Sequence, residues 1–173
     1  MIDIGRSDVT HTITEGIKTT CYASTGFKNY IFICTESGGI YKYDMEKGKT
    51  IFLLKSKFEL CSFITYYDKK LFYTSGGSSH IMSCCSEDGN LLWTYKDIAV
   101  LQRPRGIVVD KNGNILVAGN TSNNIVVIGS DGNGVRELVK VDKPSALGYD
   151  EKENELIVCT ESSSAYIFKI TDE

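Results

Sequence analysis

Four short apolar segments recur along this chain at a nearly constant interval. IFIC at 31–34, LFYT at 71–74, ILVA at 115–118 and LIVC at 156–159 start 40, 44 and 41 residues apart. A second series runs beside them: IYKY at 40–43, IMSC at 81–84, IVVI at 125–128 and YIFK at 166–169, with starts 41, 44 and 41 apart. Two independent series sharing one period define an internal repeat. A period of this size restricts the chain to solenoids, propellers or arrays.

The unit at 104–139 is the most legible. Ile107 to Asp110 reads as a strand, and KNGN at 111–114 as a turn in which Gly113 takes positive φ without a Cβ clash. Ile115 to Ala118 is a second strand, GNTSNN at 119–124 a loop, and Ile125 to Ile128 a third strand. SDGNG at 130–134 is another turn, followed by a fourth strand at Val135 to Val139. The other units repeat the turns: Asp68 and Asp150 stand where Asp110 stands, and Asp44 with Gly48 and Asp88 with Gly89 match Asp131 with Gly132. No segment sustains a 3.6-residue period, and the strand candidates are rich in Ile, Val, Tyr and Phe. Four short strands per unit make the blade of a β-propeller. The sequence thus predicts a single all-β domain over 1–173, with antiparallel blades at 20–54, 60–95, 104–139 and 144–173. The alternative is another antiparallel sandwich or barrel. The last unit shows only three strands. Residues 1–13 hold a spare strand candidate, Val9 to Ile13, belonging to an adjacent or a closing blade.

The balance of 42% hydrophobic and 24% charged residues is that of a globular domain. A net charge of −3 argues against a whole-surface basic field for nucleic acid. No apolar run approaches a membrane span, and MIDIGRSDVTHTI lacks the basic end and apolar core of a signal peptide, so a cytoplasmic setting is expected. There the six cysteines are expected to be free thiols. Cys34 and Cys159 occupy equivalent second-strand positions, and Cys21 and Cys61 equivalent first-strand positions, so all four are expected to be buried. Adjacent Cys84 and Cys85 point to opposite faces of a strand and cannot share one ion. No metal site and no cofactor are expected. Trp93, on a fourth strand, is expected to pack between blades.

The stretch RPRGIVVDKNGNILVAGNTSNNIVVIGSDG, 103–132, resembles an NHL repeat: Pro-x-Gly-Ile, a strand ending in Asp, Gly-Asn, an apolar strand, a polar loop, an apolar strand and Asp-Gly. KPSALGYDEKENELIVCTESSSAYIFKI at 143–170 and HIMSCCSEDGNLLWTY at 80–95 extend the likeness. The whole chain resembles the C-terminal propeller of tripartite-motif (TRIM) NHL proteins of divergent invertebrate, mollusc-like type. That resemblance implies an NHL-type fold, four consecutive four-stranded blades forming part of a six-bladed ring. It implies a non-catalytic module that recognises substrates or partners for a ubiquitin ligase. The 173 residues themselves show no CxxC pairing and only two histidines, so no RING or B-box pattern lies within them and no ligase chemistry is expected of them.

In a propeller the loops joining second and third strands share a rim with the lead-ins to the first strands, and loops on a rigid scaffold carry function. The candidates there are Glu36, His80, Arg103, Arg105, Asn120, Asn123 and Glu161. Arg103 and Arg105 flank the rigid Pro104, and two forked guanidiniums suit a carboxylate or phosphate on a protein partner. An RNA-binding propeller is a second reading, opposed by Glu15, Glu36, Asp142 and Glu161, which interrupt a basic rim. A lactonase-like hydrolase is a third. It needs inward Glu, Asp and Asn, which the lead-ins Thr20, Leu60, Arg105 and Ser145 do not offer. A four-blade arc also leaves two blade faces without neighbours. The chain is therefore expected to self-associate through its open ends, or to close by pairing Val9–Ile13 with Tyr166–Ile170.

Overall fold

The computed structural model describes residues 13, 17, 19–36, 38–56, 58–59 and 62–171. Every regular element among them is a β-strand. Blade 1 comprises β1 (Cys21–Phe27), β2 (Tyr30–Thr35), β3 (Gly39–Asp44) and β4 (Lys49–Leu54). Blade 2 comprises β5 (Phe63–Tyr67), β6 (Lys70–Ser75), β7 (Ile81–Ser86) and β8 (Leu91–Tyr95). Blade 3 comprises β9 (Pro104–Val109), β10 (Ile115–Gly119), β11 (Asn124–Ile128) and β12 (Arg136–Lys140). Blade 4 comprises β13 (Pro144–Asp150), β14 (Glu155–Thr160) and β15 (Ala165–Lys169). Each blade is a separate antiparallel meander in chain order. The chain is a β-propeller of four consecutive blades, with the four apolar segments of the repeat as the equivalent strands β2, β6, β10 and β14. Among the described residues no helix is long and apolar enough to cross a membrane.

Turn chemistry explains why the chain reverses where it does. Asp110 accepts the N–H groups of Asn112 at 2.9 Å and Asn114 at 2.8 Å, and Gly113 takes φ 83°. Asp44 does the same for Glu46 and Lys47, and Asp150 for Lys152 and Glu153. A carboxylate that replaces the missing ladder partners of a turn is the reason Asp recurs at these positions.

Strand alternation then assigns each side chain to one of three interblade cores. Phe32, Cys34 and Ile40 of blade 1 meet Ile64, Leu71, Tyr73 and Cys85 of blade 2. Phe72, Met82 and Cys84 of blade 2 meet Ile107, Ile115, Val117, Val126 and Ile128 of blade 3. Leu116, Ala118, Ile125 and Val127 of blade 3 meet Leu156 and Val158 of blade 4. Each core takes one further side chain from the crossover into the next blade: Phe58, Leu101 and Val141 respectively. Full burial of such a residue contributes about 1.5–3 kcal/mol. The packing fixes the order of the first strands, β1 beside β5, β5 beside β9, and β9 beside β13. Gly106 lets the last pair approach closely, since a Cβ there would lie 2.7 Å from the Leu147 nitrogen and 2.9 Å from the Ala146 Cα.

Cys84 and Cys85 lie in different cores, as strand alternation requires. Trp93 packs at the blade 2–blade 3 junction, and its indole N–H donates to the Ser130 carbonyl at 3.3 Å. Two cysteine expectations are corrected. Cys34 is buried, but Cys21 and Cys159 are exposed. Cys159 holds in blade 4 the position that Cys34 holds in blade 1, and among the described residues no further blade packs against it. Cys21, at the start of β1, borders a depression with Ile13, Ile31 and Ile33. Cys61 lies outside the described residues, as does the Val9–Ile13 strand candidate except for Ile13.

Candidate functional site

One rim is built by the same hydrogen bond in successive blades. The residue after the second strand donates its N–H to the lead-in of the first strand: Glu36 to Thr20 at 2.9 Å, Asn120 to Arg103 at 3.3 Å and Glu161 to Lys143 at 3.0 Å. In blade 2 the Gly76 N–H reaches the Ser62 hydroxyl at 3.0 Å. The loops therefore join the lead-ins on one rim, where the sequence places the candidates.

Across the last two junctions the rim repeats a second device. The Arg103 N–H donates to His80 Nδ1 at 2.9 Å, and the Lys143 N–H donates to Asn123 Oδ1 at 2.9 Å. Arg103 and Lys143 each precede a proline. Both occupy the left-handed region, at φ 50° and 42°, as do His80 at 54° and Asn123 at 55°. Left-handed backbone is unfavourable for a long side chain and persists only where its surroundings impose it. Here the imposing groups are a side chain from the preceding blade on the N–H and a loop N–H on the C=O. Arg103 and Lys143 are exposed, so two cations project from a fixed backbone.

Arg105 behaves differently, and the reading of Arg103 and Arg105 as a matched pair is corrected. Arg105 is only 5% exposed. Its Nη1 donates to Ser145 Oγ at 3.1 Å and to Glu161, while its backbone carbonyl accepts the Thr74 hydroxyl at 2.9 Å. Its Nε is buried without a hydrogen-bond partner. Arg105 thus ties blade 3 to blades 2 and 4. Asn120 is likewise buried, with its amide on the Pro144 carbonyl at 3.2 Å. Glu161 sits at the edge of this cluster. The Arg105 hydrogen bond, then the one from Asn120, holds its carboxyl below the ordinary carboxylate value. The structure gathers Arg103, Arg105, His80, Asn120, Asn123 and Glu161 around the junctions of blades 2, 3 and 4. Glu36 belongs to the blade 1 loop and stands apart from that cluster.

Sequence reasoning passed over two features. Lys143 was legible as the repeat partner of Arg103, since both precede Pro. The opposite rim has a hollow of about 610 Å³ lined by Phe27, Tyr30, Tyr66 and Tyr67, with Glu87 accepting the Tyr66 hydroxyl at 2.9 Å. Burial, then that bond to Glu87, pushes the Tyr66 phenol up to about 12. Only the aromatic residues around the turns of blades 1 and 2 signalled it. Among the described residues no group of three His, Cys, Asp or Glu is placed to hold a metal ion.

Residues 4–145 match the family described as outer membrane protein assembly factor BamB. The chain belongs to this family. No curated protein sequence matches it. Among solved structures it is similar to virginiamycin B lyase from Staphylococcus aureus, with TM-score 0.64 and 19% identity over 90% of this chain and 57% of the lyase. It is similar to a chain of the nidogen/laminin complex, with TM-score 0.72 and 18% identity over 87% of this chain and 61% of that one. BamB from Moraxella catarrhalis gives TM-score 0.65 and 16% identity over 85% of this chain and 42% of BamB. The chain thus spans little more than half the length of the lyase. At these identities the likeness to solved structures establishes the propeller fold alone.

Proposed function

We propose that this family member is a non-catalytic recognition propeller whose rim holds an acidic or phosphorylated segment of a protein partner. Arg103 and Lys143 are the contacting cations, and Arg105 positions Glu161 beside them. The observation that carries this reading is the duplicated device around the two cations. Each stands before a proline in left-handed backbone, with its N–H held by a side chain of the preceding blade. Cations on a backbone already fixed lose less freedom on binding, so more of each charge-assisted hydrogen bond is available as affinity.

Two comparisons support protein recognition. The family is described as an assembly factor, and one similar chain was solved in a nidogen/laminin complex. The NHL resemblance gives the finer proposal: substrate recruitment for a TRIM-like ubiquitin ligase in the cytoplasm.

The test is a fluorescence-anisotropy screen of acidic, phosphorylated and neutral peptides against the chain and its Arg103→Ala/Lys143→Ala variant. Exposed charges contribute ~0–1 kcal/mol each to stability, so the variant should melt within a few degrees of the parent. Anionic peptides should bind the parent and lose at least tenfold in the variant. Equal binding by the two proteins would overturn the reading. So would sub-micromolar RNA affinity with a steep salt dependence, which would make the rim a nucleic-acid surface.

A further inference from the structure

The hollow on the opposite rim forms where blade 1 meets blade 2, and its walls depart from the repeat. Tyr30 stands one residue before the repeated apolar segment, a position held by Lys70, Asn114 and Glu155 in the other blades. Tyr66 pairs with Leu71, and its counterparts are Val109, which pairs with Ile115, and Tyr149, which pairs with Leu156. The two positions are therefore Tyr30 and Tyr66 at the first junction, Lys70 and Val109 at the second, and Asn114 and Tyr149 at the third. Only the first has an aromatic side chain on both walls. At the third junction the Tyr149 hydroxyl is used within the chain, accepting the Lys111 N–H at 3.2 Å and donating to Asn154 Oδ1 at 2.6 Å. A local departure from a repeated pattern is where function is to be sought.

The parts of the hollow are held in place. Tyr66 stacks on buried Phe32 at 5.5 Å and on Phe27 at 4.6 Å, with interplanar angles of 13° and 19°. Phe27 is 43% exposed and Tyr67 38%. The Tyr67 ring packs against the first turn of blade 3, where a Cβ on Gly113 would lie 3.1 Å from it. The turn between β5 and β6 keeps Asp68 and Lys69 in left-handed backbone, at φ 45° and 59°, as a tight two-residue hairpin requires. Glu87 is fixed as well. Its Oε2 accepts the Tyr66 hydroxyl at 2.9 Å and its N–H donates to the Lys69 carbonyl at 2.9 Å, leaving Oε1 as an acceptor for a ligand. Two exposed rings and a positioned carboxylate thus share a space of about 610 Å³, which is the size of a small-molecule site.

We propose that this hollow binds a neutral pyranose sugar, as a free saccharide or as the end of a glycan, with the apolar face of the sugar on Phe27 and Tyr67 and its hydroxyls on Glu87 and the neighbouring charged side chains. Aromatic faces accept a cation, another flat ring or the C–H face of a sugar. Charge decides among these. Ammonium groups of the chain itself already lie over the rings: Lys42 Nζ is 4.0 Å from the Tyr30 centroid, and Lys28 Nζ is 5.1 Å from that of Phe27. Lys69 adds a third, so a cationic ligand is repelled. An anionic aromatic ligand meets the carboxylates of Asp68 and Glu87 instead. The lining charges, Lys28 and Lys69 against Asp68 and Glu87, cancel, and that balance favours a ligand without net charge. A sugar hydroxyl both donates and accepts, so it pairs with ammonium and carboxylate alike. Lys28 is exposed, and its flexible stem lets it leave the Phe27 ring as the sugar stacks there.

Saturation-transfer difference NMR on the whole chain tests this, with glucose, galactose, mannose, N-acetylglucosamine, lactose and cellobiose as probes, followed by an array of neutral and sialylated glycans. At least one neutral sugar should bind, with the strongest transfer to its ring C–H protons. Binding of the free sugars supports a saccharide ligand, and binding on the array alone supports the end of a glycan. Phe27→Ala/Tyr67→Ala should weaken that binding about tenfold or more. Its circular dichroism spectrum should be unchanged, since both rings are exposed. Glu87→Gln, which can still accept the Tyr66 hydroxyl, should weaken binding severalfold and decides the matter if the double variant fails to fold. Failure of every neutral sugar and neutral glycan to bind would overturn the proposal, as would unchanged affinity in either variant. Preference for tetramethylammonium, benzoate or sialylated glycans would also overturn it. Arg103→Ala/Lys143→Ala should bind the sugar as the parent does, so failure here is distinguishable from failure of the peptide screen.

Discussion

His80 Nδ1 accepts the Arg103 backbone N–H at 2.9 Å, so a side chain of blade 2 fixes the backbone of the cation that opens blade 3. A hydrogen bond of this kind contributes about 1 kcal/mol. His80→Ala should therefore lower stability by about that amount and weaken anionic peptide binding through Arg103. Arg103→Gly separates the two effects, because glycine accepts the left-handed region without the Cβ penalty. Its unfolding midpoint in urea should stay close to that of the parent while peptide binding falls. A large drop in that midpoint would show that the Arg103 side chain is a structural element.

The Arg105–Glu161 pair should respond asymmetrically. Arg105 is buried, whereas the Glu161 side chain is 41% exposed. Removing Glu161 leaves a buried charge with less compensation, and breaking such a pair costs about 3–5 kcal/mol when both partners are buried. For a half-exposed carboxylate a smaller loss of about 2 kcal/mol is expected. Glu161→Ala should thus destabilise far more than an ordinary rim substitution such as Ser163→Ala. Adding Arg105→Met should recover part of the loss, because it removes the orphaned charge. Urea denaturation of the single and double variants checks this. Independent, additive losses would show that the pair is not coupled.

The pH dependence has two limbs. The Arg105 hydrogen bond is the largest cause lowering Glu161, the Lys47 N–H the largest at Asp44, and the Asn133 N–H the largest at Asp131. These carboxyls take up protons more readily unfolded than folded. Their contribution is complete above the ordinary values of 4.5 and 3.8, and is lost as pH falls through the lower folded values. Burial pushes Cys84 from 9.0 to about 11 and Cys85 from 9.0 to about 12. The folded state favours their neutral form, so that contribution is present below pH 9.0 and is lost as pH rises toward those values. Melting temperature should be flat between the limbs and fall on either side. A temperature unchanged from pH 9 to 11 would contradict the alkaline limb.

The repeat and its turn residues made the blades legible, because strand period, Asp turns and glycine positions are local signals. Cys84 and Cys85 could be assigned to opposite cores from alternation alone. Burial at the ends of the chain could not, since Cys34 and Cys159 hold equivalent positions and differ only in having a following blade. Arg105 was misread for a related reason. Its place beside Pro104 suggested a rim residue, but burial there depends on Ser145 and Glu161, contributed by blade 4. The two cations in left-handed backbone show no local signature beyond the proline that follows each of them.

Thiol accessibility should follow the structure. Cys21 and Cys159 are exposed, whereas Cys34, Cys84 and Cys85 are buried and hold their protons more tightly than an ordinary thiol. The thiolate is the reacting species, so burial and a raised pKa both slow alkylation. Mass spectrometry after brief iodoacetamide treatment of native protein should find Cys21 and Cys159 modified first. Early labelling of Cys84 or Cys85 would mean that the blade 2 cores open readily.

Gly106 offers the most direct test of how blades 3 and 4 meet. It lies on β9, where the backbone of β13 passes so closely that an added Cβ would sit 2.7 Å from the Leu147 nitrogen, 2.9 Å from the Ala146 Cα and 2.9 Å from the Ser145 oxygen. All three are backbone atoms, so no side-chain rotation can relieve the contact. Blade 4 must move as a unit or the strand must distort. Overpacking of this kind costs about 1–3 kcal/mol. Movement of β13 would also pull Ser145 away from Arg105 and loosen Glu161. Gly106→Ala should therefore lower stability by about that amount and speed amide exchange selectively along β13 and β14, leaving β2 and β3 protected. Hydrogen exchange read by mass spectrometry distinguishes the outcomes. Uniformly faster exchange would mean that the blades unfold as one unit. An unchanged pattern at unchanged stability would show that the two first strands do not lie as close as their packing indicates.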